Sequence, residues 1–272
     1  MTNTLIDNPY DGPPPRVDFG VAAADYARHR QGHPAETFRR LRALGVGLPG
    51  QDVVDLGTGT GDVARTLAGA GARVVGVDPS RPLLDEGARL AATAGVTVAW
   101  RQARAEDTGL PDGSADVVTI AQAWHWFDPP RAAVELRRLL RPGGLVAVFY
   151  LDWLPIPGSV VALSLATAAR HRTEPVVDAT AISVHGMYPT IPDDLLGAGL
   201  VAPEWFGFDL TQRYSHAGWL GRMRASALVS TMPAPAQRAF ADDLTAALAQ
   251  GFPDPVEVPH RVFGLVARAP SA

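Results

Sequence analysis

The 272-residue sequence contains no cysteine and no lysine, since all 24 of its basic residues are arginine. The lack of cysteine excludes disulfides, thiolate metal sites, iron–sulfur clusters and cysteine nucleophiles. The lack of lysine excludes Schiff-base chemistry, attachment of pyridoxal phosphate and the lysine of P-loops and protein kinases. No run of 18 apolar residues occurs, so we expect no transmembrane helix. Acid–base chemistry by 7 histidines and 28 acidic residues, and binding by arginine, remain open.

The composition indicates a folded chain with a sizeable core, because 47% of the residues are hydrophobic and 19% are charged. The net charge of −4 does not suit a dedicated nucleic-acid binder. The first 16 residues are polar and do not resemble a signal peptide. We therefore expect a cytoplasmic monomer or homodimer that has a small-molecule partner and binds neither nucleic acid nor membrane.

Short β-branched runs alternate with longer amphipathic stretches through the first half of the chain. This alternation predicts a parallel sheet that is covered on both faces. We predict an α/β fold, specifically a Rossmann-like, seven-stranded, mostly parallel sheet with helices on both faces and a helical cap inserted after the fifth strand. The predicted strands of this half span residues 52–56, 73–77, 96–101, 115–121 and 145–150, and the intervening helices span 60–70, 80–94 and 129–140.

The alternation of strand-like and helix-like segments stops after residue 151, which suggests a division of the chain into four parts. Residues 1–20 are predicted to be a flexible leader, and residues 21–151 a cofactor-binding core with N-terminal helices. Residues 152–202 are predicted to form the helical cap, and residues 203–272 to complete the sheet. A cap at this point would lie above the carboxyl ends of the strands, where open α/β sheets bind their ligands.

A glycine-rich turn follows the first strand, in the segment VVDLGTGTGD at residues 53–62. Glycines allow a tight turn and a close approach of the backbone to a ligand. Asp78 ends the second strand, where a carboxylate can accept hydrogen bonds from ribose hydroxyls. A dinucleotide motif would have glycine in the position of Asp62, whose charge is unfavourable beside a pyrophosphate. The turn better suits a ligand without phosphate and with cationic groups, such as S-adenosylmethionine.

Four segments occur in an order that is typical of one family: VVDLGTGTGD, VVGVDPS, ARAEDTGLPDGSADVVTIAQAWHWFD and LRRLLRPGGLVAVFY. Through them the chain resembles the class I S-adenosylmethionine-dependent methyltransferases, and most of all their small-molecule, trans-aconitate-methyltransferase-like branch. The early segment ADYARHRQGHP is similar to the family's N-terminal segment, with changes. The resemblance is strong over residues 20–150 and weak over the rest.

The resemblance implies a role for each of a set of cofactor-binding positions. Those around the methionine part would be Asp55, Gly57, Gly59, Gly61, Ala121 and Gln122, the last two also bordering the sulfonium. Asp78 would hold the ribose, while Ser80, Ala105 and Glu106 would lie around the adenine. Tyr26 and Arg30 would reach the cofactor carboxylate, since arginine suits that group, although the segment around them departs from the family pattern.

The loop after the fourth strand supplies the polar and aromatic groups that would meet the methyl acceptor. His125 is a tentative general base, and a purely structural role in the turn is the alternative. Asp152 is a second tentative base, or else a solvated loop residue. The side chains that would line the acceptor pocket, each of which is alternatively a core residue, are Trp124, Trp126, Tyr150, Trp153, His185 and Tyr188. No metal site is predicted.

These observations favour an S-adenosylmethionine-dependent methyltransferase that acts on a small-molecule metabolite or natural-product intermediate. The methyl group would be transferred in line to an oxygen or a carbon atom. One alternative is an oxidoreductase on a Rossmann fold. The other is a protein that binds the cofactor for chemistry other than methylation, such as rearrangement or cyclisation.

Overall fold

A computed structural model describes residues 32–172 and 190–271 of the chain. Four predicted site residues, Tyr26, Arg30, His185 and Tyr188, lie outside the described residues. So does the predicted leader at residues 1–20.

The described residues form nine helices and seven strands. The strands are β1 (Asp52–Leu56), β2 (Arg73–Asp78), β3 (Ala99–Gln102), β4 (Ala115–Ala121), β5 (Leu140–Trp153), β6 (Val201–Tyr214) and β7 (Val256–Arg268). The helices are α1 (Ala35–Ala43), α2 (Asp62–Gly69), α3 (Arg81–Ala94), α4 (Pro129–Leu139), α5 (Val160–His171), α6 (Ile191–Gly197), α7 (His216–Arg224), α8 (Ala227–Ser230) and α9 (Ala234–Gly251).

The seven strands form one sheet in the order β3-β2-β1-β4-β5-β7-β6. The pairs from β3 to β5 are all parallel, whereas β7 runs antiparallel to both β5 and β6. This arrangement confirms the predicted Rossmann-like α/β fold. The chain leaves β1 toward β2 on one side and returns from β3 to β4 on the other. The carboxyl ends of β1 and β4 therefore flank the topological switch point, where such sheets bind ligands.

Both faces of the sheet are buried, which explains why its parallel strands are apolar almost throughout. Along β4, Val118 and Ile120 face one cluster together with α4 and α6. Val117 faces the opposite cluster, which α1 and α2 complete with Leu41 and Leu67. No helix of the described ranges 32–172 and 190–271 is long and apolar enough to cross a membrane.

Residue types at the helix ends fix the start and the stop of two central helices. The Asp128 side chain accepts a hydrogen bond from the backbone N–H of Arg131 and so caps α4. Gly95 ends α3 in a left-handed conformation, with a φ of 67°. Ser80 directly precedes α3, one residue before the helix begins, but its side chain makes no capping bond. Its backbone N–H instead donates to the carboxylate of Asp78, 2.9 Å away.

A third cluster forms a helical layer, defined here as α5, α7, α8 and α9, that packs around the fully buried Trp219. The layer also covers the ends of three strands through Trp153, Tyr214 and Val258. Its helices come from two insertions, one after β5 and the other between β6 and β7. The sequence had suggested a cap within residues 152–202, so the structure adds the helices of residues 216–251 to it. Apolar pairing between α5 and α9 has no signal in the local sequence.

Candidate active site

The glycine-rich turn leaves β1 with three glycines in the left-handed region, where residues with a side chain are strained. A Cβ atom on Gly57 would lie 2.5 Å from the Cβ of Ala123, and one on Gly61 would collide with the Trp100 ring. At Gly59, in contrast, no atom of the described residues lies within 4 Å of the position that a Cβ would take. The turn is thus tightly packed at its two ends and open at its centre.

Asp78 holds the centre of this turn from the end of β2. Its Oδ2 accepts a hydrogen bond from the backbone N–H of Gly59, at 2.9 Å, and its Oδ1 accepts one from Ser80. The residue is only 7% exposed, and burial raises the pKa of its carboxyl. Each carboxylate oxygen has a second acceptor site beyond these backbone contacts. Asp78 therefore both fixes the turn and can accept hydrogen bonds from a ligand.

Asp55 supports the turn from within the sheet. Its Oδ1 accepts a hydrogen bond from the Thr119 hydroxyl and its Oδ2 one from the Thr58 hydroxyl, both at 2.6 Å. Burial, together with the smaller effect of the nearby charges of Asp62 and Asp78, raises the pKa of Asp55 to about 6. Because both oxygens bind threonine hydroxyls, the structure gives Asp55 a supporting position beneath the turn.

The raised pKa of Asp55 predicts a pH-dependent stability. An unfolded aspartate titrates near pH 3.9, so between about pH 4 and about pH 6 the folded chain binds more protons at this site. Stability contributed by the protonated form is therefore lost as the pH rises through this window. We expect the wild type to lose on the order of 2 kcal/mol of unfolding free energy relative to Asp55→Asn. Urea titrations of both proteins across the window test this, and parallel pH curves would contradict it.

Asp62 is the first residue of α2, next to the last glycine of the turn. Its Oδ2 accepts a hydrogen bond from the backbone N–H of His33 at 3.1 Å and lies 3.5 Å from Nδ1 of the same histidine. With Asp55 and Asp78 it brings three carboxyl groups to one turn. Their mutual effect appears in the raised pKa of Asp55. Such a turn favours a cationic ligand and disfavours a pyrophosphate.

The end of β4 presents an unsatisfied acceptor. Ala121 pairs with Phe149 in the sheet, and Gln122 follows it with a left-handed φ of 53°, which is unusual for a residue other than glycine. The Gln122 side-chain Nε2 donates to the carbonyl of Leu151 at 2.6 Å. The other end of the amide, Oε1, is buried and has no hydrogen-bond partner among residues 32–172 and 190–271. Strain and an orphaned polar atom are both typical of ligand sites.

The loops after β3 and β4 are joined by Glu106. Its Oε1 accepts a hydrogen bond from the backbone N–H of Asp128 at 2.9 Å, and its Oε2 pairs with Arg104 at 3.2 Å. Ala105 beside it is buried against the apolar cluster of β4 and α4. The predicted adenine contacts of both residues stay predictions, and their observed role is to fix these two loops.

His125 lies in the short 3₁₀ turn Trp124–Trp126 that follows β4. Its Nδ1 is 3.3 Å from the hydroxyl of Tyr150, and its ring lies 4.7 Å from that of Trp126, centroid to centroid. Tyr150 is fully buried, and burial raises the pKa of its phenol well above the usual value. The charge of Asp152, itself buried, raises that pKa further. The two residues predicted as bases thus flank one buried phenol.

Two of the tryptophans predicted to line the acceptor pocket are packed into the protein interior, and their place at a pocket stays a prediction. Trp124 is 3% exposed, and its indole Nε1 donates to Oδ2 of Asp194 in α6 at 2.8 Å. Trp153 lies edge-on against Trp219 in the helical layer, with the Arg222 guanidinium 4.7 Å above its ring. Their observed contacts are those of core residues, which was the alternative interpretation of the sequence. Trp126 is only partly buried.

Comparisons with known proteins agree with this geometry. A family described as a methyltransferase domain matches residues 54–148. The chain is 33% identical over 201 residues to the nocamycin O-methyltransferase of Saccharothrix syringae, an alignment covering 66% of this chain and 71% of that protein. It is 38% identical over 151 residues to an uncharacterised methyltransferase of Mycobacterium tuberculosis. That alignment covers 53% of this chain and 59%, about three fifths, of the mycobacterial protein.

A solved structure of a putative type II methyltransferase from Anaeromyxobacter dehalogenans superimposes with a TM-score of 0.61 at 25% identity. The match covers 89% of this chain and 97% of that one. The fold, the turn and these relatives together define the class. The chain belongs to the class I S-adenosylmethionine-dependent methyltransferases.

The residues at the switch point fit the cofactor of this family. The open space at Gly59 leaves room against the backbone, and the second acceptor sites of Asp78 suit ribose hydroxyls. The orphaned Oε1 of Gln122 can accept a hydrogen bond from a donor such as an ammonium group. The three carboxyl groups around the turn complement the positive charge of a sulfonium and an ammonium. S-adenosylmethionine is therefore the ligand that this donor and acceptor set suits.

Proposed function

We propose that this protein methylates a small-molecule metabolite or natural-product intermediate, at an oxygen or a carbon atom. The observation that carries the proposal is the open, carboxylate-bordered glycine turn at the switch point of the sheet. The similarity to an O-methyltransferase named for nocamycin supports a small-molecule acceptor and favours oxygen as the methylated atom.

Bound S-adenosylmethionine supplies an activated methyl group, whose carbon bonds to the acceptor atom as the electron pair of the carbon–sulfur bond remains on sulfur. The chain's own task is to align the partners and exclude water. Alignment of this kind accounts for about 7–11 kcal/mol of a barrier. The turn and Asp78 hold the donor side. On the acceptor side, His125 lies in contact with the buried Tyr150 where the carboxyl ends of β4 and β5 meet.

Thermal unfolding with different cofactors tests the donor half of this proposal. A ligand present at about 100 times its Kd stabilises a folded protein by about 2.7 kcal/mol. We expect S-adenosylhomocysteine to raise the melting temperature of the full chain, and NAD⁺ or NADP⁺ to leave it unchanged. Stabilisation by a nicotinamide cofactor alone would overturn the proposal in favour of an oxidoreductase.

The acceptor half is tested by incubation with S-adenosylmethionine that carries a tritiated methyl group. The acceptors are a panel of small hydroxyl, carboxyl and enol compounds. Transfer of label to one of them supports methylation, and mass spectrometry of the product locates the methyl group. Consumption of an acceptor without transfer of label, with S-adenosylmethionine bound, would show that the chemistry is a rearrangement or cyclisation. The control is the same mixture with Asp78→Ala.

A further inference from the structure

The contact between Tyr150 and His125 joins the core of the sheet to the loop of the candidate active site. The Tyr150 side chain belongs to the apolar cluster of β4 and α4 and is 1% exposed. A hydroxyl buried this deeply cannot rely on bulk water and requires hydrogen-bond partners within the protein. Nδ1 of His125, 3.3 Å away, is such a partner.

The direction of this hydrogen bond follows from the other groups around the phenol. The backbone N–H groups of Trp124 and His125 interact with the phenol oxygen and lower its pKa, as donors do. These donors compete with the imidazole for the lone pairs of the oxygen, which favours the hydroxyl hydrogen as the group that Tyr150 offers to Nδ1. The phenol keeps that hydrogen, because burial and the nearby charges of Asp152 and Asp194 raise its pKa.

The imidazole ring is held in the orientation that this bond needs. It contacts the Trp126 ring in a tilted arrangement, at a centroid distance of 4.7 Å and an interplanar angle of 49°. A second ring contact, 5.8 Å from centroid to centroid, joins it to Tyr150 itself. These contacts fix the plane of the ring but not which edge faces the phenol, since a flip by 180° would preserve both of them. The hydrogen bond itself favours the orientation with Nδ1 toward the phenol, because the flipped ring would present a carbon atom there.

We propose that Tyr150 donates a hydrogen bond to Nδ1 of His125 and so fixes the neutral imidazole as the tautomer with its hydrogen on Nε2. Tyr150 is then a positioning residue. A protonated Nε2 is a hydrogen-bond donor and cannot accept a proton, so the neutral histidine does not act as a base through this nitrogen. Combined with the proposed function, on which only this consequence rests, a methyl acceptor does not lose its proton to Nε2 of the neutral His125.

Nitrogen NMR of the full chain tests the tautomer without any acceptor. Long-range ¹H–¹⁵N correlations of a ¹⁵N-labelled protein distinguish the two neutral tautomers, and comparison with His125→Gln identifies the signals of His125 among those of 7 histidines. The spectra are recorded at a pH where this imidazole is neutral. We expect a protonated Nε2 and an unprotonated Nδ1 in the wild type. In Tyr150→Phe we expect a mixture of both tautomers.

Tyr214→Phe is the matched control. Tyr214 is also buried and stacks on a histidine, His260, but its hydroxyl donates to Gln212 at 3.1 Å. This variant should leave the His125 signals unchanged. A hydrogen on Nδ1 in the wild type, or the same tautomer in a folded Tyr150→Phe, would overturn the inference. Because no methyl transfer is measured, failure of the proposed function would not affect this result.

Discussion

Replacement of Asp78 by alanine is expected to weaken the binding of S-adenosylhomocysteine by about 100-fold or more. Hydrogen bonds to a charged group contribute about 1.5–3 kcal/mol each, and a ribose offers two hydroxyls to one carboxylate. The variant also releases the backbone N–H of Gly59, which Asp78 holds at 2.9 Å. The variant would thus lose both the hydrogen bond that holds the centre of the turn and the carboxylate that would bind the ribose. Calorimetric titration measures the change in Kd directly.

Two further variants separate these effects. Asp78→Asn keeps the shape of the side chain and one of its oxygens. Its Kd for S-adenosylhomocysteine should therefore lie between the Kd of the wild type and that of Asp78→Ala. Asp85→Ala removes an exposed carboxylate of α3 that pairs with Arg81, and its Kd should equal that of the wild type. An unchanged Kd in a folded Asp78→Ala would refute the assignment of the ribose site to this carboxylate.

Replacement of Trp219 by alanine should lower the free energy of unfolding by about 3–5 kcal/mol, as is typical of fully buried tryptophans. The ring is completely buried and packs edge-on against Trp153 and Tyr214. Its indole Nε1 donates to the Ser164 hydroxyl at 2.9 Å and so links α7 to α5. Urea unfolding monitored by circular dichroism gives the size of the effect and shows whether the transition remains single.

The same substitution at Trp205 is the matched control, because this tryptophan of β6 is 48% exposed. Trp205→Ala should lower the free energy of unfolding by less than half as much as Trp219→Ala does. Trp219→Phe keeps an aromatic ring but not the hydrogen bond to Ser164. Its destabilisation should therefore lie between those of Trp205→Ala and Trp219→Ala. Equal destabilisation by Trp219→Ala and Trp205→Ala would mean that the helical layer contributes little to the stability of the sheet.

The sequence predicts the parallel half of the fold closely, because each of its elements has a local signal. The run DVVDL predicts β1 at its observed bounds, and Asp128 before two prolines predicts the start of α4. The predicted ends of a strand are wrong where pairing with a neighbouring strand, rather than the local sequence, determines them. Residues 96–98 lie outside β3, since its pairing with β2 begins only at Ala99. Likewise the length of β6, from Val201 to Tyr214, follows from its pairing with β7 rather than from a local signal.

The candidate site was predictable where backbone conformation demands a residue type. The three glycines of the turn and the carboxylate of Asp78 are such positions. The orientation of side chains was not predictable, because it depends on partners far away in sequence. Trp124 turns into the core toward Asp194, which lies 70 residues later. The orphaned oxygen of Gln122 likewise depends on the carbonyl of Leu151 in a different strand.

The helical layer has a consequence for recombination between family members. Its helices leave the sheet at two separate places, after β5 and between β6 and β7, yet they close around one tryptophan. A chimera that exchanges only the first insertion would place a foreign α5 against the resident Trp219 and lose its bond to Ser164. An exchange of this layer between family members therefore has to carry both insertions together, while the half with the glycine turn can stay untouched.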